Sequence, residues 1–82
     1  MGKHAWALLQ AIAEAPMGAL TEFDLGIRSH EMGISIEDAQ AALTDLGRRG
    51  LVYLIGHEGE RGLAITQAGL LILARLTAQT HA

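Results

Sequence analysis

Apolar positions recur at helical spacing in four stretches of the chain, and alternation of the strand kind is confined to one short region. Between residues 4 and 15, Ala5, Leu8, Leu9 and Ile12 mark one face, alanines fill the gaps, and Pro16 with Gly18 ends the segment. Trp6 lies off that stripe. The next start signal combines two devices. Thr21 and Asp24 have the spacing of a capping box, and Leu20 and Leu25 occupy the two positions of a hydrophobic staple. They predict a second helix over 22–32, with Gly33 as the left-handed residue that closes it.

Ser35 and Asp38 repeat the capping spacing at once, so the chain turns within two or three residues into a third helix over 36–48. Ile36, Ala39, Leu43 and Leu46 form its expected buried stripe, and Gly50 ends it. Leu51 to Ile55 is an apolar run rich in strand formers. A loop of glycine density, 56–62, follows, and Leu63 to Ile65 returns as a second strand. Thr66 can cap a fourth helix over 67–79.

The element order is helix, helix, helix, hairpin, helix, and the short turn between the second and third helices is the helix-turn-helix signal. Within it stand LGRRGLV at 46–52, the glycine-rich hairpin loop, and LAITQAG at 63–69 before an apolar helix. This combination resembles the winged helix-turn-helix superfamily, particularly bacterial transcriptional regulators of the MarR and PadR type. Ile65 stands where that pattern has leucine. The resemblance covers about residues 20–76. It implies a mainly α fold with a small two-stranded wing, residues 1–82 forming a single winged-helix domain. It also implies a third helix that enters the major groove of double-stranded DNA and a wing that touches the backbone.

Composition agrees with a helical core and complicates the function. Of 82 residues half are apolar, yet three are aromatic and fourteen are alanine, so the core is built from Leu and Ile between closely packed helices. That composition argues against disorder, and the length against a multidomain enzyme. The chain has no cysteine, hence no disulfide framework and no thiolate zinc site. No stretch is long enough to span a bilayer and the first residues lack the form of a signal peptide, so a cytoplasmic protein is expected.

The net charge of −3 runs against a nucleic-acid partner, because phosphate neutralisation supplies much of the affinity of DNA-binding proteins. The acids are also concentrated in the wrong half. Residues 21–33 carry −2, residues 35–50 carry −1 and the wing another −1, leaving +1 for the rest of the chain. Carried over by position from the resemblance, the residues expected to face DNA are Arg28, Gln40, Thr44, Arg48, Arg49 and Arg61. Arg48 and Arg49 have an alternative role in complementing the dipole at a helix C-terminus. Glu37, Asp38, Asp45, Glu58 and Glu60 define an alternative acidic face, suited to a basic protein partner of an interaction module or a phage-type inhibitor. Glu37 and Asp38 also suit the positive end of the third helix, a role that fits them better than base readout.

Catalysis, a metal and a cofactor are not expected. The histidines at 4, 30, 57 and 81 lack helical ligand spacing, and no nucleophile–base set has a supporting motif. In the last helix Leu70, Ile72, Leu73, Ala74 and Leu76 cover roughly 200° of arc, about twice what one core-facing stripe requires. Leu71, Ile72, Leu76 and Trp6 are therefore the expected seam of a homodimer made through the terminal helices, which suits paired DNA half-sites.

Overall fold

The structure is a computed structural model that describes residues 2–57 and 60–80. Its elements run α1 (Lys3–Glu14), a single 3-10 turn (Pro16–Gly18), β1 (Ala19–Thr21), α2 (Glu22–Glu31), α3 (Ile36–Arg48), β2 (Val52–Ile55), β3 (Gly62–Ile65) and α4 (Gln67–Thr80). All four expected helices form. Thr21 Oγ1 accepts from the Asp24 amide at 3.1 Å and Ser35 Oγ accepts from the Asp38 amide at 3.1 Å, so both N-caps satisfy a backbone donor that the helix itself leaves open. Gly33 and Gly50, at φ of 72° and 74°, take the left-handed conformation after α2 and α3. The turn between those helices spans residues 32–35, a little longer than the two or three expected, and it buries Ile34.

The sheet differs from the expectation. It has three antiparallel strands in the order β1-β3-β2, not two, because Ala19, Leu20 and Thr21 pair with Ala64, Leu63 and Gly62. Three residues after Gly18, the last of them a helix cap, carry too little alternation to show as a strand, and their partner lies more than forty residues away. Leu20, read as half of a staple, packs against the core from the strand, while Leu25 is buried in it.

One core cluster joins the elements. Leu8, Leu9 and Ile12 of α1 and Leu46 of α3 are its fully buried side chains, with Ala5, Leu25, Ile34, Ala39, Ala42, Leu51 and Val52 around them. The alanines let α1 and α3 approach closely. Burying such a leucine contributes about 2 kcal/mol relative to leaving it in water. The α3 stripe is rotated from the expected one: Ala42 is buried with Ala39 and Leu46, while Ile36 is 76% exposed. At about 100° per residue Ile36 falls some 80° from the Leu46 direction, off the edge of the contact with α1.

The two sequence motifs meet in space at the junction of α3, the wing and α4. Thr66 Oγ1 donates to the Gly50 carbonyl at 2.7 Å and accepts from the Gly69 amide at 3.1 Å, and the Thr66 amide donates to the Leu51 carbonyl at 3.0 Å. A side chain at residue 69 would collide with the Leu51 carbonyl oxygen and the Ile65 side chain, so only glycine lets α4 lie this close. A threonine that caps one helix thereby ties off the end of another.

Candidate nucleic-acid interface

Five exposed residues of α3 share one side of the helix: Glu37, Gln40, Ala41, Thr44 and Arg48. Their spacing of three, four, seven and eleven residues from Glu37 places them within about 60° of the helix face opposite Leu46. With Asp45 they line a shallow, open depression. This face exists because the other side of α3 is spent on α1. Gln40, Thr44 and Arg48 of the expected DNA-facing residues meet here with Glu37 and Asp45 of the alternative acidic face.

The acids of α3 are distributed unevenly around that face. Asp45 accepts from Arg49 Nε at 2.9 Å, four residues on, so this pair is locally neutral. Asp38 Oδ2 lies 3.9 Å from Nε2 of His4 on α1, an ion pair whenever that imidazole is protonated. Both acids sit on the flank, about 80–100° from the face centred on Glu37. Exposed pairs of this kind contribute little to stability, a few tenths of a kcal/mol. Their consequence is one of placement, since Asp45 is held by Arg49 and Asp38 lies beside the His4 imidazole. Glu37 differs. Its carboxylate has no hydrogen bond or ion pair among the described residues.

Of the expected cationic residues, Arg49 is therefore engaged with Asp45 at the end of α3, an ion pair not among the expectations from sequence. Arg28 is exposed in the last turn of α2, and its carbonyl accepts the capping amide of Met32. Arg61 stands exposed at the base of the wing, where its carbonyl accepts the Glu22 amide at 2.9 Å and fixes the wing to the start of α2. The loop tip is closed by the Glu60 amide donating to the His57 carbonyl at 2.8 Å. Glu60 is exposed, and Glu58 lies outside the described residues. Sequence reasoning missed His4 as the partner of Asp38. The two are 34 positions apart, and no local spacing announces a contact made by packing α1 on α3. Among the described residues no three His, Asp or Glu side chains gather as metal ligands; His81 lies outside them.

No family model matches the sequence. No curated protein matches it either. Among solved structures, the PcaV transcriptional regulator from Streptomyces coelicolor matches with a TM-score of 0.77 over 96% of this chain, at 22% identity. The fold is a winged helix-turn-helix, shared with that structure. In winged-helix terms α2 and α3 are the helix-turn-helix, β2 and β3 with their loop are the wing, and β1 is the strand that flanks it. The winged helix described here spans 57% of the length of that regulator's chain. No helix among the described residues is long and apolar enough to cross a membrane.

Proposed function

We propose that this chain is one winged-helix domain that binds double-stranded DNA as part of a transcriptional regulator, with α3 in the major groove and the wing against the phosphate backbone. The observation that carries this reading is the polar face of α3, on which Gln40 and Thr44 can meet base edges and Arg48 a phosphate. Arg28 and Arg61 supply further cations on α2 and the wing, the elements that flank a recognition helix. The acidic balance that argued against DNA stands in total, and its bearing is on position: Asp38 and Asp45 lie to the flank of α3, beside His4 and Arg49, about 80–100° from the direction of Glu37. A fold shared with a transcriptional regulator supports the reading.

The test is fluorescence anisotropy against random duplex at low salt, repeated over a salt series. Binding is expected, weakening as salt rises. Replacing Arg48 or Arg61 with alanine should lower the slope of log K against log salt by about 1 each, as for a lost phosphate contact. No binding at high micromolar protein would overturn the proposal.

A further inference from the structure

We propose that Glu37 is a specificity-determining residue that selects cytosine, one base step or so from an adenine read by Gln40. The inference rests on the DNA-binding reading above and deepens it. Glu37 lies in the first turn of α3, on the side of the helix opposite Leu46, and shares the depression with Gln40, Thr44 and Arg48. The other two acids of the helix lie to its flank, Asp45 paired with Arg49 and Asp38 beside the imidazole of His4. Glu37 has no hydrogen bond or ion pair among the described residues, and Ser35 supplies the cap. As one of two acids in the first turn Glu37 also faces the positive end of the helix, a role that leaves its carboxylate oxygens open to a ligand.

An unpaired carboxylate on a groove-facing helix is repelled by phosphates and can only accept hydrogen bonds. In the major groove guanine offers N7 and O6, both acceptors, and thymine offers O4 beside a methyl group. Adenine has a donor at N6 but an acceptor at N7 next to it. Cytosine presents its N4 amine without an acceptor of its own on that edge, and is the base on which a carboxylate is best satisfied. Gln40 carries both a donor and an acceptor, the complement of adenine N7 and N6. Three residues of helix rise about 4.5 Å and a base pair about 3.4 Å, so the two side chains address adjacent or next-adjacent pairs. Arg48, roughly 16 Å further along the helix, is placed for the backbone at the groove's far wall.

The experiment selects bound duplexes from a pool randomised at its centre, using the complete chain, and then measures Kd for the selected duplex and for each single base-pair change. Glu37→Gln and Glu37→Ala are carried through the same measurements, with circular dichroism confirming that both fold. The wild type should show one position at which cytosine is preferred about tenfold or more. Both variants should lose that preference, keep the others and bind random duplex more tightly, because a negative charge has left the interface. If the variants bind with base preferences identical to the wild type at every position, Glu37 reads no base and the inference falls while DNA binding stands. If the wild type retains no duplex at all, both fall.

Discussion

At the scale of single residues, Thr66 is where the most structure hangs on the fewest atoms. Its hydroxyl donates to the end of α3 and accepts from the start of α4, and its amide holds Leu51. Valine is nearly its shape and has no hydroxyl, so Thr66→Val removes both side-chain bonds while keeping the volume. We expect a loss of about 1–2 kcal/mol in unfolding free energy, within the range of a lost N-cap and a lost carbonyl partner, read by urea denaturation with an unchanged m-value. A loss below about 0.3 kcal/mol would show that water replaces the hydroxyl at no cost. Such residues were legible in the sequence. Thr21, Ser35 and Thr66 each precede an apolar-periodic stretch, and capping is a local interaction that needs only the chain a few positions away. His4 and Asp38 were not legible as partners, since packing alone brings them together.

At the scale of elements, the helices were legible and the smallest strand was not. The 3.6-residue period of α1 and α3 survives in the structure, with α3 turned so that Ala42 replaces Ile36 at the core. The direction of a stripe is set by the neighbour it packs on, and α1 favours the narrow alanine side. β1 is defined by its partner in the same way. Thr21 and Leu20 pass so near Gly62 that a side chain there would strike the Leu20 carbonyl oxygen. Gly62→Ala should therefore displace β1 while leaving the β2–β3 hairpin paired. Amide hydrogen exchange should show lost protection at Leu20 and retained protection along β2; equal protection in the variant and the wild type would mean that the strand yields without parting.

At the scale of the whole molecule, α4 leaves apolar surface uncovered. It packs on β3 and α1, Ile72 and Leu73 reach the core, and Trp6 of α1 does the same, yet Leu70 and Leu71 are 51% and 63% exposed. Trp6 and Ile72 thus contribute to the monomer's own core, and the part of the expected seam left outward is Leu71 with Leu76. We propose that this surface joins two copies of the chain. Light scattering on the purified protein should give the mass of a dimer, and Leu71→Glu, which alters no core contact, should give the mass of a monomer with the helical spectrum intact. A wild-type mass of one chain across micromolar concentrations would exclude the seam.

The β1–β3 ladder closes a circuit of backbone that runs from Thr21 through both helices of the helix-turn-helix and the wing to Gly62. Closing a loop of about forty residues costs on the order of 3 kcal/mol of chain entropy beyond the fixed term, more than three paired residues supply alone. The clasp is therefore held shut by the core beneath it. A segment carrying only the wing and α4 would lose this fastening together with the core that buries Leu51 and Val52, so the orientation of the wing relative to α2 belongs to the entire chain and not to the hairpin that bears its name.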